Sequence, residues 1–170
     1  MVERAALLAL LLLLSACDAP TAPVQAAAPA EAGSGPAIVS SGDGFPCTPV
    51  KLWDGDGPIH CAEGPRVRLA GIAAREADGT CRPGHPCPDA GAEAARDKLA
   101  SLLGRVTGTA REGHLTIEGP TLACTSEGPA GGRRTAAWCV SPTAGDLSCA
   151  MVASGTAAKW DRYWRGHDCG

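Results

Sequence analysis

"RVRLAGIAARE", from Arg66 to Glu76, reads as a strand that carries two arginines and runs out in Ala73 and Ala74 ahead of a glutamate. It is either the floor of a site or a core strand with charged ends, and its neighbours decide between the two. Upstream, "PVKLW" (Pro49 to Trp53) has the length and composition of a strand, stopped by the turn cluster "DGDGP" (Asp54 to Pro58). "IHCAEGPRVRLAGI" then gives two more strands around Glu63 and Gly64, so the folded part opens with hairpins. Downstream, the Gly and Pro content of residues 75 to 88 marks a loop. "DAGAEAARDKLASLLG" follows, with Ala92, Ala95, Leu99, Leu102 and Leu103 at helical spacing and Gly104 as its stop. Further strands are expected at His114–Gly119, Thr121–Thr125 and Arg134–Val140, a helix at about Asp146–Ser154 and a short one near Trp160. This order describes an α+β, β-rich domain with a small barrel.

The chain has 170 residues, 45% of them apolar, enough for one compact domain. A formal charge of −3 gives no bulk signal for a nucleic-acid binder, so any basic site must be local. The opening "MVERAALLALLLLLSAC" has a short charged start, an apolar run and small residues, the pattern of a secretory signal rather than a span. Its end, Leu14 to Cys17, resembles a bacterial lipoprotein signal, with Cys17 as the lipidated residue; ordinary cleavage after Ala16 would instead leave Cys17 as a thiol. Residues 1–16 are therefore expected to be a signal peptide. Residues 17–44, rich in Ala, Pro, Gly and Ser, are expected to be a tether that buries too little to fold. Residues 45–170 are the expected domain, exported to the periplasm or cell envelope, lipid-anchored and monomeric.

Nine cysteines less Cys17 leave an even set for an oxidising compartment. Proximity along the chain suggests Cys47 with Cys61, Cys81 with Cys87, Cys124 with Cys139, and Cys149 with Cys169. Each bridge would contribute about 2 to 4 kcal/mol by restricting the unfolded chain.

"DGDG", then "RVRLAGIAARE", "GAEAARDKLASLL", "GRRTAAWCV" and "GDLSCAMVASGTA" stand in an order and spacing that resemble the thermonuclease (micrococcal nuclease-like) family, from about Val50 to the C-terminal end. The resemblance implies an OB-type five-stranded barrel with packed helices. It also implies hydrolysis of phosphodiester bonds in DNA and RNA with a calcium ion, on a fold whose face accommodates single-stranded DNA or RNA as a partner. Carried over residue by residue, it gives Arg68 and Arg134 contact with phosphate, Glu76 the attacking water and Asp56 a metal ligand. The chain departs from the family pattern at four places. Gly57 stands for a threonine, Ala73 for the second metal aspartate, Arg75 for a proline and Gly132 for a tyrosine. Calcium gains affinity with each carboxylate, so Asp56 alone would hold it weakly. Arg75 would replace part of the metal's charge if it turned inward.

Arginine suits phosphate because its planar fork makes two parallel hydrogen bonds. Read separately, Arg68 and Glu76 could be an ion pair and "DGDG" a plain turn. Cys81, His85 and Cys87 could ligate zinc, although export favours a disulfide. His60, His114 and His167 carry no motif and read as surface residues. Trp160, Tyr163 and Trp164 among Arg162 and Arg165 would either stack bases or pack a helix on the barrel. Three functions follow: a nuclease with a weakened metal site, a silent module that binds nucleic acid or an envelope partner, and a disulfide-braced structural lipoprotein.

Overall fold

The computed structural model describes residues 38–170, so the expected signal, Cys17 and most of the tether lie outside the described residues. The strands are β1 (Gly44–Cys47), β2 (Pro49–Leu52), β3 (Ile59–Cys61), β4 (Arg66–Leu69) and β5 (Ile72–Ala73). The helix α1 (Ala92–Leu103) follows, then β6 (Arg105–Thr109), β7 (Leu115–Glu118), β8 (Leu122–Pro129), β9 (Thr135–Ser141) and β10 (Gly145–Asp146). The chain finishes with α2 (Leu147–Ala153), β11 (Ala158–Lys159) and α3 (Asp161–Trp164).

Nine strands form one mixed sheet in the order β1-β8-β9-β4-β3-β2-β7-β6, with β10 added to β9, while β5 and β11 make a separate ladder. The expected five-stranded closed barrel is not what the ladder forms. β1 and β6 extend it at either end, and β7 and β8, though consecutive, do not pair. β6 was missed from sequence because all five of its residues are exposed and leave no apolar alternation to read. β8 and β9, by contrast, alternate buried and open positions along their length, the pattern of strands with one face on the core.

α1 lays Ala95, Leu99, Ala100 and Leu103 on this sheet, against a core that includes Leu52, Ile59, Val67, Leu69, Ile72, Leu115, Leu122 and Met151. At about 25 cal/mol per Å² of apolar area, each fully buried leucine or isoleucine contributes about 1.5 to 3 kcal/mol. Packing reaches further towards the N-terminus than residue 45. Val39 is buried, its N–H donates to Thr135 Oγ1 at 3.0 Å, and its carbonyl accepts from Ser126 Oγ at 2.9 Å.

All four cysteine pairs expected from sequence form disulfides. Cys47–Cys61 and Cys124–Cys139 are buried, the latter joining residues directly opposite in the β8–β9 ladder. Four bridges are consistent with an extracellular or periplasmic setting. Among the described residues no helix is long and apolar enough to cross a membrane.

Candidate functional site

The parallel pairing of β4 with β9 sets Arg68 opposite Ala136 and Val67 opposite Thr135. Side chains alternate along a strand, so Arg134, two residues before Ala136, lies on the same face as Arg68. Val67, Leu69, Thr135 and Ala137 take the other face and are buried. The turn of residues 54–57 is fixed to this pair of strands where Leu69 N–H donates to the Asp56 carbonyl at 2.9 Å. Gly57, with φ +113°, belongs to that turn. A Cβ there would lie 2.4 Å from the Val67 carbonyl oxygen, so the threonine of the resembled pattern has no room.

These elements border a cleft of about 700 Å³ whose walls include Asp56, Arg68, Glu76 and Arg134, the site residues expected from sequence. Asp54, Arg82, His85, Trp160, Tyr163, Glu127 and Arg165 also line it. The second ladder places the aromatic wall. β11 pairs with β5, and the next residue, Trp160, donates its N–H to the Gly71 carbonyl at 2.7 Å. Gly71 must be glycine, since at φ +71° a Cβ would stand 2.3 Å from the Trp138 ring.

Most charges in the cleft already have partners. Arg68 Nη2 donates to Asp56 Oδ2 at 2.5 Å, and Ala74 N–H donates to the same oxygen at 3.2 Å. Arg82 meets Glu76 with Nε at 2.7 Å and Nη2 at 3.2 Å, a two-pronged pair. Arg165 stands 3.7 Å from Glu127. Arg134 differs. Its Nε donates to the Gly131 carbonyl and its Nη2 to the Ala130 carbonyl, both at 3.1 Å, which anchors the guanidinium without neutralising it. Among the described residues it makes no ion pair, so it is the cleft cation with charge to spare.

Burial pushes Asp54 up to about 7, and the neighbouring Asp56 carboxylate adds to the effect. Burial also pushes Asp56 upward, against the pull of Arg68 and the Ala74 N–H. His85 is pushed down by burial and then by Arg68. Sequence reading does not single out Asp54 or Arg82 as site groups. It offers His85 as a zinc ligand, but Cys81 and Cys87 are bonded to each other and hold no thiolate.

Two further expectations are corrected. Arg75 does not turn into the cleft: its Nε donates to Pro88 O and its Nη1 to Gly79 O, each at 3.1 Å, pinning the loop. The aromatic tail does not pack on the core as a whole. Trp164 is 7% exposed and packs edge-on against Trp138 at 5.6 Å. Trp160 and Tyr163, edge-on at 4.6 Å, line the cleft.

Calcium does not fit the residues present. It takes about six to eight oxygen ligands. Here one oxygen of Asp56 is engaged by Arg68 and Ala74, and Ala73 is a fully buried methyl where a second carboxylate would be needed. Elsewhere, Asp146, Cys149 and His167 are close enough together to hold a metal ion. Cys149, however, is bonded to Cys169. Asp146 caps α2 through the Cys149 N–H at 2.8 Å and meets His167 Nε2 at 2.9 Å, which accounts for the cluster as a brace for the tail. No family model matches the chain, and neither the curated proteins nor the solved structures contain a match to it.

Proposed function

We propose that this cleft binds the phosphodiester backbone of single-stranded DNA or RNA on a divergent thermonuclease-like scaffold. One observation carries the reading: Asp56, Arg68, Glu76 and Arg134, scattered along the sequence, border a single cleft. Arg134 offers a guanidinium with no carboxylate partner among the described residues, and Trp160 and Tyr163 offer ring faces on which bases can stack. An OB-type curl is supported by the path from β8 through β9, β4, β3 and β2 to β7, whose two end strands are joined by Gly119–Thr121 alone.

Hydrolysis is the second reading, favoured by Glu76 at the cleft wall. Binding comes first because the groups that hydrolysis needs are engaged, Asp56 by Arg68 and Glu76 by Arg82, and the calcium donors are too few. In the hydrolytic reading, Glu76 would leave Arg82 and take a proton from water as that water attacks a phosphate held by Arg68 and Arg134, the bond to one sugar oxygen breaking and that oxygen taking a proton from solvent.

The test is binding and cleavage of labelled single-stranded DNA and RNA by the full oxidised chain, with calcium and with chelator, beside Glu76→Gln. Salt-sensitive binding without cleavage is the expected result. Cleavage that Glu76→Gln abolishes would establish the second reading. Neither binding nor cleavage by a folded chain would leave a structural lipoprotein and overturn both.

A further inference from the structure

The loop "CRPGHPC", Cys81 to Cys87, is held far more firmly than its glycine and prolines require. The Cys81–Cys87 bridge closes it, and Arg75 grips its two flanks at Gly79 and Pro88. The Glu76 N–H donates to Thr80 O at 2.8 Å, while Asp78 Oδ1 accepts from the Thr80 N–H at 2.9 Å and from its hydroxyl at 2.7 Å. This rigidity delivers two side chains to the cleft. The His85 ring lies 4.1 Å from Trp160, whose ring also faces the Arg68 guanidinium at 5.7 Å, so the loop closes one side of the arginine site. Arg82 meets Glu76 with two nitrogens, yet its side chain is 52% exposed and that of Glu76 27%.

An exposed ion pair is cheap to exchange, and a phosphate presents to a guanidinium the same pair of oxygens as a carboxylate. We propose that Arg82 is a third phosphate-binding guanidinium of the cleft, with Glu76 as the counter-charge it leaves when a phosphodiester arrives. Neither group is idle in the resting chain. Glu76 keeps Arg82 in its binding rotamer, and Arg82 keeps the Glu76 charge from repelling the strand. The inference rests on the cleft being a phosphodiester site and adds a residue that the thermonuclease resemblance does not supply.

The experiment is fluorescence anisotropy of labelled single-stranded DNA with the full oxidised chain across a salt series, for wild type, Arg82→Ala, Glu76→Gln and the double variant. Arg82→Ala is expected to weaken binding about tenfold and to lower the salt slope by about 0.7, the share of one phosphate on a single strand. Glu76→Gln is expected to tighten binding several-fold. The double variant is expected to bind more weakly than Glu76→Gln alone, because the phosphate contact is gone.

Equal affinity of Glu76→Gln and the double variant would reduce Arg82 to a shield for Glu76 and overturn the inference, as would wild-type affinity and slope in Arg82→Ala. Tighter binding by Arg82→Ala would make the loop an obstruction and overturn it too. No binding by wild type at low salt would instead bring down the cleft reading itself, and this inference with it.

Discussion

Two of the three arginine–carboxylate pairs on the cleft differ in how much water reaches them. Arg68–Asp56 has side chains 15% and 10% exposed, whereas in Arg82–Glu76 they are 52% and 27% exposed. The buried pair sits where β4 meets the turn of residues 54–57, with a backbone N–H completing it. Taking one partner away would strand a charge in a poorly hydrated place. The open pair sits on a loop, where water substitutes for either partner. The first is therefore part of the fold, and the second can exchange its partner, as the proposed phosphodiester site requires.

The largest expected effect tests the buried pair. Arg68→Ala should cost about 3 to 5 kcal/mol of stability, lowering the thermal midpoint by about 10 °C or more. Arg68→Ala with Asp56→Ala should cost less than the sum of the two single changes. A thermal scan of the four proteins checks this, and additive losses would make the pair incidental.

Next in size is the pH response of the carboxyl beside it. Asp54 rises from 3.8 to about 7 on folding. In that window the folded chain keeps a proton that the unfolded chain has released. Its contribution is therefore full below about pH 4 and lost as pH rises through 7. Asp54→Asn should stabilise the chain at pH 8, by up to about 4 kcal/mol, and leave it little changed at pH 4. His60 works in the opposite sense. Burial and then Arg66 hold it down to about 4 from 6.5, so it destabilises the fold as pH falls through that range. Denaturant midpoints from pH 4 to 8 would resolve the two slopes, and parallel curves for wild type and Asp54→Asn would remove Asp54 from the account.

Smaller still, Arg134→Ala should weaken single-strand binding about tenfold while the fold is almost unchanged, since only carbonyl contacts are lost. The smallest effect is on the open pair: Arg82→Ala should move stability by less than about 1 kcal/mol. A large loss there would erase the contrast between the two pairs.

Much of this arrangement could be read from the chain. The strands β2, β3, β4, β7, β8 and β9 and the helices α1 and α2 were legible because their apolar residues keep a period, and the four disulfides because each joins cysteines near in sequence. Arg68, Glu76 and Arg134 were picked out by the thermonuclease resemblance, and the fold sets them on one cleft. What sequence left hidden was set by contacts between distant segments. β5 and β11, two residues each, exist through their mutual pairing, and through it Trp160 reaches the cleft while Trp164 reaches the core. The open sheet was hidden because β1 and β6 carry too few buried residues to announce themselves. Whether Asp56 serves a metal or an arginine depends on which group the fold brings closest, and Ala73 supplied only the negative half of that answer.

The most direct test of the central claim is calorimetric titration of single-stranded DNA into the full oxidised chain, in calcium and in chelator, at low and moderate salt. Equal affinity in calcium and chelator, with steep weakening by salt and about tenfold weaker binding in Arg134→Ala, is the predicted result. Binding that appears only with calcium would contradict it and return Asp56 to the metal.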